Sequence, residues 1–269
     1  MSETQLENGA RLIDFAGPPA TARRVAWADN FSVEWIAAGA SAEVESRDES
    51  LALFLQAPGA VSGVYGRVPI PPRSVAILPP GRHDLRADAG GVAAVIATSR
   101  PDLPGADRPR DPRVAPLRPA FRRRRPLAAP EVHALEAIVH PADNPRLRFL
   151  QTATISVNLV AYDGPRGRRG LSPHSHAAFE QGTLAVEGDY VHHLRTPWGP
   201  DAEAWRDDQH LEAAAGTLLV IPPDLVHTTE GVREGRHVLV DIFAPPRRDF
   251  IAKGWMFNVQ DYEDEAAGS

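Results

Sequence analysis

A nine-residue stretch occurs twice in this chain. Arg73-Ser74-Val75-Ala76-Ile77-Leu78-Pro79-Pro80-Gly81 matches Gly216-Thr217-Leu218-Leu219-Val220-Ile221-Pro222-Pro223-Asp224 at a constant offset of 143 residues. In each copy an apolar run ends in two prolines, which cannot donate to a β-ladder and turn the chain out of the sheet. A repeat at this spacing predicts two β units of about 110–140 residues, joined around residues 100–128. Pro (26) and Gly (21) are scattered evenly, which suits short strands and turns. Strands are predicted at 31–37, 51–56, 74–78, 92–97, 152–162, 183–187, 190–194, 217–221 and 237–243. Together they point to an all-β barrel or sandwich. One helix is predicted over 130–139, where Val132, Leu135, Ala137 and Ile138 form an apolar stripe after Pro130.

Several classes of function are removed by composition. There is no cysteine, so disulfides, thiolate metal sites and cysteine nucleophiles are excluded. No apolar run approaches the ~20 residues of a membrane helix, and the N-terminal residues lack the basic-then-apolar order of a secretory signal. A cytoplasmic protein with no membrane partner is expected. The net charge of −6 does not favour nucleic acid as a partner. The run Arg122-Arg123-Arg124-Arg125, preceded by Arg108, Arg110 and Arg113, lacks interleaved aromatic platforms beyond Phe121 and is read as a solvated linker or a source of ion pairs. Motifs for a serine elbow, a phosphate-binding loop, a dinucleotide fold and a His-Glu-x-x-His zinc helix are all missing.

All ten histidines lie at position 83 or later, so the early strands of the first unit cannot supply a His-x-His pair. His83 and Asp84 are expected to be structural, and the first unit to be metal-free. The second unit differs. His174 and His176 stand at i and i+2, on one face of an extended segment. Glu180 follows, and His227 comes after the second Pro-Pro turn. Three imidazoles and a carboxylate suit Fe(II), Mn(II), Ni(II), Cu(II) or Zn(II), and ligand type alone does not select among them.

These residues resemble the two motifs of the cupin family. His174, His176 and Glu180 fit the first, G-x5-H-x-H-x(3,4)-E-x6-G, with Gly188 one residue late and Arg168 at the leading glycine position. Gly216, Pro222 and His227 fit the second, G-x5-P-x-G-x2-H-x3-N, with Asp224 at the second glycine and Gly231 at the asparagine. The resemblance implies two tandem cupin jelly-roll barrels, that is, double-stranded β-helices. Residues 1–100 would form a degenerate barrel and 101–145 an Arg/Pro-rich linker with the short helix. Residues 146–250 would form the metal-binding barrel and 251–269 a tail. It also implies a homodimer acting on a small-molecule substrate, most readily an Fe(II) dioxygenase. The rival readings are a non-redox decarboxylase, isomerase or lyase, and a non-catalytic ligand-binding barrel.

Around the expected metal, His192 and His193 are adjacent, so one faces inward. His193 is taken as the candidate acid or base, and Arg195 as a candidate clamp for a substrate carboxylate. Arg236 is a second possible clamp, with rim ion pairs as the competing reading. Gln181 is expected to face away from the metal, because side chains alternate along a strand. Trp198 and Trp205 sit in the excursion 196–209, read as a lid or a protomer contact. Tyr162 and Asn158 share a strand face, with core or edge roles equally open.

Overall fold

The computed structural model describes residues 1–17, 21–99 and 109–265. The start of the expected linker (100–108, with Arg108) and the end of the tail (266–269) lie outside the described residues. Two β-barrels account for almost every strand. In the first, a six-stranded sheet runs Glu131–Ala134, Ser74–Leu78, Ser50–Phe54, Ala93–Thr98, Phe31–Ile36, Arg23–Trp27. It is joined by a four-stranded sheet of Ser41–Ser46, Gly81–Ala87, Gly59–Gly63 and Gly66–Ile70. In the second, a seven-stranded sheet runs Ser2–Gln5, Arg11–Asp14, Thr217–Ile221, Gln181–Glu187, Arg236–Phe243, Ser156–Asp163, Leu147–Gln151. Its companion is a three-stranded sheet of Gln209–Ala214, Asp189–Arg195 and Val226–Val232.

The two large sheets pack against each other, and this explains their composition. In the first barrel's sheet Leu51, Leu53, Val75, Ile77 and Ile96 face the joint core, while Ala52, Phe54, Ala76, Leu78 and Val95 fill the barrel interior. Across the joint core stand Leu184, Leu218, Val220, Val240 and Ile242 of the second barrel. A strand buried on both faces has no polar alternation to keep, so its sequence is a continuous apolar run. Gly182 has a particular role there, since a Cβ at that position would come within 2.7 Å of the Phe31 ring. Truncating Phe31, which is fully buried in this core, is expected to cost about 3–5 kcal/mol, measurable by urea unfolding.

The ends of the chain depart from a simple tandem. Arg11–Asp14 pairs with Thr217–Ile221 of the second barrel, while Glu131–Ala134 pairs with Ser74–Leu78 of the first. Each barrel is therefore completed by a strand from outside its own segment. The helix predicted over 130–139 is a correction: Glu131–Ala134 is a strand, followed by a single 3-10 turn at Leu135–Ala137. Val132, Leu135 and Ile138 recur every third residue, a spacing that a strand leading into a tight turn meets as well as a helix does. The open edge of Ser74–Leu78 supplied the deciding hydrogen bonds.

The arginine run forms ion pairs. Arg122 and Arg124 reach Glu263, and Arg123 lies between Glu49 and Glu131 with Tyr262 at 2.8 Å. Inside the first barrel His83 is held by Tyr65 at Nδ1 and by the Pro79 carbonyl at Nε2, both at 2.8 Å. Among the described residues, no helix is long and apolar enough to cross a membrane.

Candidate metal centre

Backbone geometry places the ligands before their side chains meet. His174 and His227 form an isolated antiparallel bridge, with reciprocal N–H···O bonds of 3.1 and 2.8 Å. The Asp224 amide donates to the His176 carbonyl at 2.7 Å. Asp224 sits at φ 67°, in the left-handed region that aspartate enters more readily than most residues, so it does the work of the glycine expected there. The ligand atoms of His174, His176 and His227 all lie within 4.8 Å of one another.

The protons on two of these rings follow from their partners. Nδ1 of His174 faces the Ser172 carbonyl at 2.9 Å, and Nδ1 of His227 faces the Leu225 carbonyl at 2.9 Å. A carbonyl only accepts, so in both rings Nδ1 carries the hydrogen and Nε2 presents a lone pair. Burial drives the pKa of His227 down to about 3 and that of His176 to about 4, so both are neutral at ordinary pH.

The fourth group in the cluster is Gln181. Its amide nitrogen donates to Thr183 Oγ1 at 3.0 Å and to Asp241 Oδ1 at 3.3 Å, which turns its carbonyl oxygen toward the histidines. That oxygen lies 2.9 Å from Nε2 of His176 and 3.2 Å from Nε2 of His227. His176 can offer it a hydrogen; neutral His227 cannot. Two lone pairs therefore face each other across 3.2 Å, a repulsive arrangement that a cation between them converts into coordination. Three imidazole nitrogens and a carbonyl oxygen form a donor set suited to a divalent transition metal.

Glu180 is not brought to this cluster, which corrects the expected fourth ligand. It is 4% exposed, and its Oε1 accepts from the Asn30 backbone N–H of the first barrel at 2.9 Å. Alternation explains the exchange. Gly182, Leu184 and Val186 face the joint core, so residue 180 points that way and residue 181 points into the second barrel. Burial, reinforced by Asp29, pushes the Glu180 carboxyl up to about 7. The linker braces the same loop: Arg110 donates to the Asp29 carbonyl and to Asn30 Oδ1, and the Ala115 amide donates to the Ala178 carbonyl.

Beside the histidines opens a cavity of about 440 Å³. Its floor carries Asn158, Gln181 and Asp241, and its walls include Phe149, Phe243, Phe250 and Trp255. Asp241 accepts from Asn158, Thr183 and Gln181, and burial raises its pKa. Asp241 carried no expectation in the sequence, and Gln181, expected to face away from the metal, faces the histidines. The available signal was a lone carboxylate inside the apolar strand Arg236–Phe243, directly opposite Asn158 and Thr183.

No protein-family model matches this sequence, and no curated protein does either. Solved structures do match it. AerE from Microcystis aeruginosa aligns over 91% of this chain and 97% of its own, at 10% identity and a TM-score of 0.52. Oxalate decarboxylase OxdC of Bacillus subtilis aligns over 91% and 75%, at 12% identity and a TM-score of 0.53. A putative glyoxylate-induced protein from Pseudomonas aeruginosa aligns over 91% and 85%, at 16% identity and a TM-score of 0.51. The fold is a bicupin.

The two remaining candidates lie outside the cavity. His193 faces the far side of its sheet, with Nδ1 at 2.7 Å from His210 Nδ1 and Nε2 at 3.0 Å from Glu230. Arg195 is exposed and bidentate to Asp208, at 2.8 and 2.5 Å. Both readings are corrected for one reason: along Asp189–Arg195 the buried positions are Tyr190, His192 and Leu194, so 193 and 195 point outward. His192 is the inward member of its pair, held by Thr229 at 2.9 Å. Arg236 pairs with Asp163 at the rim. The excursion 196–209 contributes no residue to the cavity; Trp198 and Trp205 stack on each other instead, ring centroids 4.6 Å apart. Tyr162 lines the cavity and stacks on His237, and Gly231 makes room for its hydroxyl, which a Cβ would meet at 2.1 Å.

Proposed function

We propose that this bicupin is a divalent-metal enzyme that transforms a small polar organic molecule without net redox chemistry, as a decarboxylase, isomerase or lyase. The metal would be held by His174, His176, Gln181 and His227. The observation that carries the proposal is the carbonyl oxygen of Gln181 directed at two imidazole nitrogens while Glu180 is turned away. An all-neutral donor set leaves the ion its full positive charge, which favours Lewis acidity. It also withholds the anionic ligand that would stabilise a higher oxidation state, so it supports an Fe(II) dioxygenase less well. The likeness to oxalate decarboxylase, described with Mn(II) centres, supports Mn(II) as the first ion to supply.

A bound divalent ion would supply polarisation of a substrate oxygen. The rest falls to the chain. The aromatic wall excludes water from one side of the substrate. Asp241, with its raised pKa and its place on the cavity floor, is the group suited to hold or pass a proton there. The test is turnover of a panel of small keto, hydroxy and carboxylic compounds by Mn(II)-loaded protein under strict anaerobiosis, followed by proton NMR. Product formation without oxygen is expected. Turnover that appears only with oxygen, in step with oxygen uptake, would overturn the non-redox reading.

A further inference from the structure

We propose that the molecule held in this cavity is a carboxylate with an apolar, ring-sized body, its charge received by Arg166 and Arg146. This deepens the metal-enzyme reading and rests on it for the location of the site. Four cations line the cavity: Arg146, Arg166, Arg247 and Lys253. The end bearing Arg247 and Lys253 contains a carboxylate, Asp249. Arg247 is bidentate to Asp249, at 2.7 and 2.7 Å, and Lys253 Nζ lies 4.6 Å from the centre of the Trp255 ring.

The end bearing Arg146 and Arg166 holds no such pair, and the carboxylate that acts on Arg166 at longer range is Asp241 on the cavity floor. Among the described residues neither has a carboxylate in ion-pair range. Arg166 donates to the Thr229 and Gly170 carbonyls at 2.9 and 3.1 Å, and its Nε is buried without a partner. Arg146 lies over the Tyr162 ring, its guanidinium 5.9 Å from the ring centre. Two like charges gathered at one end of a partly enclosed cavity are unfavourable unless an anion joins them. A planar guanidinium matches a carboxylate better than a point anion. Asn158 Oδ1, on a residue that lines the same cavity, is a second buried atom without a partner.

Phe149, Phe250 and Trp255 form an aromatic cluster in the wall, with Phe149–Phe250 at 4.6 Å and Phe250–Trp255 at 5.8 Å between centroids and Arg247 4.2 Å from the Phe250 ring centre. A two-carbon diacid bound at the arginines would leave this aromatic cluster uncovered, whereas ligands normally bury most of their surface against such walls.

The test uses 3-phenylpropanoate, its neutral amide 3-phenylpropanamide, and oxalate, titrated into the full chain with and without Mn(II). Calorimetry gives the affinities, and Mn(II) uptake is followed by electron paramagnetic resonance. Phenylpropanoate should bind about tenfold or more tighter than its amide, and Arg166→Met should erase that preference while Mn(II) uptake and the circular dichroism spectrum stay unchanged. Arg168→Met, at an exposed residue outside the cavity, should leave the preference intact. Equal binding of acid and amide, a preference that survives Arg166→Met, or binding of oxalate alone would each overturn the proposal. Failure of Mn(II) to bind while the acid preference persists would sink the metal reading and leave this one standing.

Discussion

Replacing His227 by alanine should abolish tight divalent-metal binding, lowering affinity on the order of a hundredfold or more. The ring is 4% exposed, its Nδ1 is fixed on the Leu225 carbonyl, and its backbone is bridged to His174. It therefore presents its lone pair without reorganisation. The same change should cost the metal-free protein little in this one respect, because it removes the repulsion between Nε2 and the Gln181 oxygen. Thermal unfolding with and without Mn(II) separates the two effects. At a hundredfold excess over its dissociation constant, a ligand stabilises the native state by about 2.7 kcal/mol. That gain should appear in the wild type and vanish in His227→Ala.

The second large effect contrasts two neighbours. Gln181→Leu should weaken metal binding by about ten- to a hundredfold, since it removes the carbonyl that Asp241 and Thr183 orient. Glu180→Gln should leave metal affinity within about twofold and change the pH dependence of stability instead. Burial raises the Glu180 carboxyl from 4.5 to about 7 in the folded protein. Between those values the native state holds more protons than the unfolded chain, so this group's contribution to stability falls as pH rises through the window. At about 1.4 kcal/mol per pH unit, the loss over the window is about 3 kcal/mol. Glutamine keeps an acceptor for the Asn30 N–H and cannot ionise. The variant should therefore be more stable than wild type at pH 8 and little different at pH 4, as urea unfolding at the two values would show. Loss of metal by Glu180→Gln would contradict the assignment.

Legibility in the sequence followed burial. Strands such as Ser50–Phe54, Ser74–Leu78 and Thr217–Ile221 are covered on both faces, and their unbroken apolar runs announced them. Strands with one face in water, such as Ser41–Ser46 and Gly81–Ala87, carry shorter apolar signals and are absent from the predicted strands. The exchange of Arg11–Asp14 into the second barrel is a pairing between residues some two hundred positions apart, and no local pattern encodes it. Within the site, the three histidines were readable because their order matches a spaced motif and all converge on one cluster. The fourth position was not. Glu180 and Gln181 both satisfy the motif's spacing, and only the phase of the strand decides between them. Thr183 carried that phase, as the hydroxyl in a run otherwise made of glycine and apolar residues, and it points to the same side as Gln181. His193 and Arg195 failed for the same reason, because the inward phase of their strand belongs to His192.

His174, His176, Gln181 and His227 are proposed to make a four-donor metal site. Its most direct test is a Mn(II) titration of the purified, chelator-treated chain, followed by electron paramagnetic resonance, in the wild type and in a variant with all three histidines changed to alanine. One tightly bound equivalent per chain is expected in the wild type and none in the variant. A wild type that binds no Mn(II), Fe(II), Ni(II) or Zn(II), or a variant that keeps its equivalent, would contradict the proposed site.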